Sequence, residues 1–428
     1  MKLLKILLFA FVASLPLTNL LTLPYVGNRL QLPEIAFVFL LAAALMAGQR
    51  EGKGFRLPLL QVDFALLALL GAYGLSALFS PAVSSWLEAA GIAYLILVYA
   101  VLNYILFHGF VPVAALLPAL RVAGYIAAGS GIAGWLLAHL GVDTALAWPT
   151  DALYPYFEGF GRANGFFYNP NNLLCFVGVC FFFETAVLIR QRRSLRGSFP
   201  TRRSSLLLAG ILTFSKLIVL YFVGWLWMLY WLSVPLVLRF RRALLPASVF
   251  LASFFYLATH VAVVDSVSRS YRQLWEAGFI LREPFASLGG YELCWTNYSV
   301  NKYAGFQAGL DYFPFGLGAG QYVHHADEWI AAGYFPTYFP PYEPHSTLAG
   351  TWAELGLPGL LALGFLFFSV GKLVHRGIRK GLPATEPLFA AGAAVLLIAL
   401  LDGVVTDILF QRYYWFVLAL TTFVPRSS

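Results

Sequence analysis

Three polar segments in an otherwise apolar chain carry residue types that can do chemistry. The first runs Pro344-His345-Ser346-Thr347-Leu348 and continues to Glu354-Leu355-Gly356-Leu357-Pro358-Gly359. His345 stands where a loop enters an apolar helix, and an imidazole there can act as a general base near neutral pH. A histidine bonded to a neighbour for packing at a helix N-terminus is the plainer reading of that position. The second segment, Gly161-Arg162-Ala163-Asn164-Gly165-Phe166-Phe167-Tyr168-Asn169-Pro170-Asn171-Asn172, leads into another apolar helix. Its Asn and Gly residues suit a tight turn and a helix cap. The third, Phe313-Pro314-Phe315-Gly316-Leu317-Gly318-Ala319-Gly320-Gln321-Tyr322, has glycines that let a backbone approach a ligand closely. A structural loop uses glycines in the same way.

Other polar residues read less sharply. His324, His325, Asp327 and Glu328 are metal-ligand types lying close together. Adjacent histidines on a loop have no defined ligand geometry, so a solvated polar segment is the reading taken, and no metal or cofactor is expected. Glu354 lies nine residues from His345. That is about half a turn out of phase at ~100° per residue, so it reads as a structural partner. Arg121, Glu184 and Asp402 interrupt apolar runs, where ionisable groups are functional candidates by default.

The elements that must position these residues belong to a membrane protein. Of 428 residues, 60% are hydrophobic and 11% charged, against roughly 25% charged in soluble domains. A bilayer is the solvent that accommodates so much apolar side chain. The 17% aromatic share suits interfacial belts and a sugar-binding groove. The net charge of +8 sits in short loops between apolar runs, which points to membrane orientation rather than to nucleic acid. Cys175 and Cys180 lie in an apolar run and Cys294 is alone in a loop, so no disulfide framework is implied. The first apolar run, after Lys2 and Lys5, lacks Ala-x-Ala and reads as an uncleaved helix.

With about 20 apolar residues needed per crossing, the sequence predicts spans at 3–20, 33–48, 60–79, 86–107, 114–140, 173–190, 205–215, 217–237, 244–263, 347–371, 387–401 and 408–424. The fold expected is an all-α integral membrane protein of about twelve helices. Residues 1–263 and 346–428 carry the helices, and 264–345 form one large outer loop with short helices. The Lys/Arg bias assigns orientation. Arg50, Lys53 and Arg56, then Arg192, Arg193, Arg196, Arg202 and Arg203, then Arg239, Arg241 and Arg242, then Lys372, Arg376, Arg379 and Lys380 mark cytoplasmic loops. The stretch 141–172, with Arg162 as its only basic residue beside Asp143, Asp151 and Glu158, faces outward. The alternation requires two passes within 205–237, with a turn near Ser215-Lys216 at the outer surface and both termini in the cytoplasm.

Taken in order, these segments resemble the O-antigen ligase and polymerase family, whose members transfer glycans from undecaprenyl diphosphate carriers at the periplasmic face of the bacterial inner membrane. The resemblance is strongest over residues 160–360. The family's His-Asn/Ser-x-x-Leu and then Glu-x-Gly look like His345, Ser346, Leu348, Glu354 and Gly356. Its Asn-Pro-Asn at a helix start looks like Asn169-Pro170-Asn171, and its proline–glycine loop looks like Pro314 to Gly318, with Phe315 and Leu317 between. Where the family has Thr-x-Ser-Arg in the outer turn between two middle helices, this chain reads Thr213-Phe214-Ser215-Lys216. A second family arginine is matched by Lys302, four before Phe306, or by Arg269 or Arg272 before Trp275.

The resemblance implies a GT-C-like bundle whose outer loop caps a cavity, and metal-independent, inverting glycosyl transfer. His345 would deprotonate the acceptor hydroxyl. Lys216 and Lys302, with Arg162 and Arg282 as lesser candidates, would neutralise the departing diphosphate. Lysine serves there as a point charge without the bidentate fork of arginine. Asn169, Asn171, Gly316, Gly318 and Ser346 would shape the substrate loops, with Glu354 in support. The implied partners are an undecaprenyl diphosphate-linked glycan donor, an acceptor on lipid A–core or on a second carrier, and the lipid bilayer. An O-antigen ligase is the leading reading, and a polymerase of the same family shares its motifs. A polysaccharide transporter or flippase is the third; the chain shows no matching halves, and its polar clusters are expected at the outer surface rather than at mid-membrane.

Overall fold

The computed structural model describes residues 1–18, 31–80, 82–148, 161–190, 204–265, 269–276, 278–334, 336–337 and 343–427. Asp151, Glu158, Arg192, Arg193, Arg196, Arg202, Arg203 and the Arg269 side chain lie outside them.

Hydrocarbon offers no partner to a backbone N–H or C=O, so a spanning segment must satisfy its own. Each apolar run accordingly contains a helix: α1 Lys2–Ser14, α2 Leu32–Arg50, α3 Gln61–Phe79, α4 Val83–Phe107, α5 Leu116–His139, α6 Pro170–Arg190, α7 Ser204–Leu212, α8 Ile218–Trp231 and α9 Arg241–His260. Three short helices come next, α10 Arg269–Glu276, α11 Asn297–Asp311 and α12 Ala326–Ala331, and then α13 Thr347–Arg379, α14 Pro387–Asp402 and α15 Arg412–Ser427. Local caps set several starts. The Glu34 carboxylate accepts from the Gln31 N–H at 2.8 Å, and Asp63 accepts from the Leu60 N–H at 2.6 Å.

Among the described residues, seven helices are long and apolar enough to cross a membrane: α2, α3, α4, α5 with the turn before it, α6, α9 and α13. The shorter α8 and α14 are also apolar. The run 205–237 divides where a turn was expected, with Phe214 at φ 47° between α7 and α8. Helix α13 is broken at Gly356 (φ 60°, ψ −148°), which separates Thr347–Leu355 from Leu357–Arg379.

The large outer loop departs from the helices-only expectation. It carries an antiparallel sheet of order β3-β5-β4, formed by β3 Val261–Asp265, β4 Ala286–Leu288 and β5 Tyr291–Trp295. Val261-Ala262-Val263-Val264 is rich in β-branched residues, and Gly289 and Gly290, at φ 59° and 86°, supply the hairpin turn. The apolar run read as a span to 263 therefore stops as helix at His260, and its last residues pair with β5. Val264, Leu274, Ile280 and Cys294 make a small separate core under this sheet. A second, two-residue ladder pairs β1 Ala147–Trp148 with β2 Arg162–Ala163.

One continuous core runs through the bundle. Small residues bring helices together: a Cβ on Gly178 would meet the Tyr221 ring, and one on Gly224 would meet Ile398. Two pairs of charges within the apolar runs meet, while Asp402 accepts from the Thr406 hydroxyl at 2.8 Å. The Arg121 fork meets Glu184 at 2.7 and 3.2 Å, and Arg412 pairs with Glu34.

Candidate active site

The first part of the site is built by two turns. Asn169 Oδ1 accepts from the Asn172 N–H at 2.9 Å and caps α6, with Pro170 at its first position. That turn presents Asn171 Oδ1 to Arg162 Nη2 at 3.3 Å, while Arg162 Nε donates to the Thr213 carbonyl at 2.7 Å. The turn 213–217 is held by its own hydroxyls. Thr213 Oγ1 donates to the Gly210 carbonyl at 2.6 Å and accepts from the Ser215 N–H at 3.3 Å. Ser215 Oγ accepts from the Leu217 N–H at 3.3 Å. Lys216, between them, donates to the Ala258 carbonyl at the end of α9. Burial, and then the neighbouring charge of Arg162, push the Lys216 ammonium below its usual pKa. Two cations thus share one small region and gain from a bound anion.

The second part is built by α11 against the ends of α9 and α13. Lys302 Nζ lies 2.7 Å from His260 Nε2 and 5.6 Å from the centroid of the Tyr298 ring. The Tyr298 ring in turn lies 5.3 Å from that of His345. Burial lowers the Lys302 pKa to about 7. Burial and then the Lys302 charge lower that of His345 to about 4, so its imidazole is neutral at pH 7. His345 has φ 46°, and the two residues after it hold it there. Ser346 Oγ accepts from the Ala349 N–H at 3.3 Å as the cap of α13. The Thr347 N–H donates to the Gly403 carbonyl at 2.8 Å, and its hydroxyl accepts from the Ile408 N–H at 2.9 Å.

A cavity of about 830 Å³ opens on the first part and reaches Tyr298 of the second. Arg162, Asn171 and Lys216 line it beside Asp402 and Thr406, and Tyr298 lines it near His345. Phe254 and Leu257 from α9, Val263 and Leu293 from the sheet, and Phe285 just before β4 give it an apolar wall. Lys302 and His345 are not on its lining; both lie against Tyr298, which is. The arrangement offers cations to an anionic head, an apolar surface to a chain, and a neutral imidazole nearby.

Comparison with known protein families finds none that matches this chain, and no curated protein matches it. Its chemistry is therefore read from the geometry.

Other residues singled out from sequence lie away from the cavity lining. Gly316 and Gly318 are closely packed by protein atoms. A Cβ on Gly316 would lie 2.6 Å from the Glu354 backbone, and one on Gly318 would lie 2.7 Å from Ser80. The Gly318 N–H donates to the Glu354 carbonyl at 2.9 Å, and the Leu357 N–H to the Pro314 carbonyl at 2.8 Å. Glu354 packs under the same loop. Its carboxylate accepts from the N–H groups of Gly320 at 2.9 Å and Tyr322 at 3.2 Å. Arg282 lies over the Trp275 ring at 4.2 Å, in the small sheet unit and off the cavity lining. His325 Nδ1 lies 2.8 Å from Glu328, which also accepts from Tyr312 at 3.0 Å. Among the described residues no three His, Cys, Asp or Glu side chains converge on one point.

Two members of the site were not singled out from sequence: Tyr298, which lies against Lys302 and His345 and lines the cavity, and His260. His260 ends an apolar run that holds no charged residue, and that position was its one visible signal.

Proposed function

We propose that this chain is a membrane glycosyltransferase that moves a glycan from an undecaprenyl diphosphate carrier to an acceptor hydroxyl. Within that class it is read as an O-antigen ligase with lipid A–core as acceptor. The observation that carries the reading is the cavity, which sets Arg162 and Lys216 against an apolar wall and lies beside a neutral His345. A lipid diphosphate has that amphipathic character: two phosphates to neutralise and a hydrocarbon chain to cover.

In this mechanism the diphosphate sits between Arg162 and Lys216, with Lys302 nearby. The acceptor oxygen bonds to the anomeric carbon as the carbon–oxygen bond to the diphosphate breaks. The bonding pair leaves with the phosphate, and the acceptor proton passes to His345. One displacement inverts the anomeric centre. A bound diphosphate also offsets the Lys302 charge that depresses His345, so donor binding strengthens the base. In a bilayer the chain is read with twelve crossings in a GT-C-like arrangement, both termini cytoplasmic and the site at the periplasmic face of the inner membrane.

The test offers one carrier-linked donor to purified protein with two acceptors. Product on lipid A–core supports the ligase. A ladder on the carrier replaces it with the polymerase. Flipping of the donor across vesicles without transfer overturns the enzyme.

A further inference from the structure

We propose that His260 is a positioning residue that fixes the Lys302 ammonium beside Tyr298 and the cavity, a role that rests on the transferase reading above. His260 is 3% exposed at the last turn of α9. Its Nδ1 lies 2.8 Å from the Tyr256 carbonyl, so that nitrogen carries the proton. Nε2 then presents a lone pair to Lys302 Nζ at 2.7 Å. The ring is stacked on Tyr256 with centroids 4.0 Å apart and 23° between planes, which fixes its orientation. The backbone serves the same end. The His260 carbonyl accepts from the Thr296 N–H at 3.0 Å and from Ser299 Oγ at 2.9 Å, which ties the start of α11, the helix bearing Tyr298 and Lys302, to the end of α9.

An ammonium on a flexible four-carbon stem needs such a guide. A carboxylate would hold it but would cancel its charge. A neutral imidazole holds it and leaves the charge for an anion. The other charged or titratable groups facing this pair are Lys216 from the α7–α8 turn, His345 ahead of α13, Tyr298 on α11 and Tyr256 on α9.

The experiment measures glycan transfer across neutral pH in the wild type, His260→Leu, His260→Gln, Lys302→Ala and the Leu/Ala double variant. In the wild type, kcat/KM falls as pH rises through about 7, where Lys302 loses its proton. His260→Leu moves that fall about one pH unit lower, because the ammonium has lost its acceptor. His260→Gln, whose amide oxygen can accept, restores it, and it also serves if the leucine variant does not fold. In the Lys302→Ala background His260→Leu adds no further loss. An unmoved alkaline limb, or equal losses in both backgrounds, overturns the proposal in favour of a packing role. Binding of inorganic pyrophosphate by calorimetry to the same proteins separates the two readings. If no glycan is transferred but pyrophosphate affinity depends on Lys302 and His260 with the same pH shift, the positioning role stands and the transferase falls. Affinity indifferent to both substitutions overturns the role.

Discussion

At the scale of the residue, His345 joins an uncommon backbone to a neutral ring. A φ of 46° at a non-glycine residue costs of order 1–3 kcal/mol and persists only where its surroundings impose it. Here they are the Ser346 cap and the Thr347 contacts with the turn after α14. His345→Ala should lower kcat by about 10²–10⁴-fold, with thermal unfolding as the check that the fold persists. The pH profile of kcat/KM should be a bell for the free enzyme. The acid limb lies near 4, where His345 gains a proton, and the alkaline limb near 7, where Lys302 loses one. The cations proposed to meet the diphosphate are separable. Lys216→Ala should cost about 10²–10³-fold in kcat, and Lys216→Arg should keep most of it, since a guanidinium can also fork onto phosphate. His345, Lys216 and Asn171 were legible because type and motif order pointed to them. Arg282 was not separable from them, because which loop residues face the cavity depends on a sheet that the apolar pattern hides.

At the scale of the element, the proline–glycine loop is a clamp. It crosses the break in α13 so closely that a Cβ on Gly356 would lie 2.1 Å from the Pro314 carbonyl oxygen. Gly356→Ala and Gly316→Ala, both at positive φ, should each destabilise the fold by more than about 1 kcal/mol, read as a lower unfolding temperature in detergent. Any activity loss should track that instability, not donor affinity. The sequence showed glycines that permit close approach but not what approaches. Helices in the apolar runs were legible, but their ends were not: α1 and α8 each stop six residues before the expected bound, α13 runs eight beyond it, and one run ended as a strand. The short strands of the outer loop were not, since three to five residues carry little periodicity.

At the scale of the whole molecule, segments far apart in sequence meet at one end of the bundle. Arg162 reaches Thr213, Gln411 reaches Asn172 at 3.2 Å, Lys302 reaches His260, and Thr347 reaches Gly403. Hydropathy marked the helices without revealing which of their ends touch. A cysteine placed at Gly289, in the exposed β4–β5 turn, should react with an impermeant reagent from the periplasmic side only. One placed at Arg379, at the far end of α13, should react only after the membrane is opened.

The most direct measurement of the central claim is glycan transfer from an undecaprenyl diphosphate donor to lipid A–core, with purified protein in detergent and EDTA. The wild type should form product, and folded His345→Ala and Lys216→Ala variants should form at least about 100-fold less. Full transfer by His345→Ala, or no transfer by the wild type, would contradict the account.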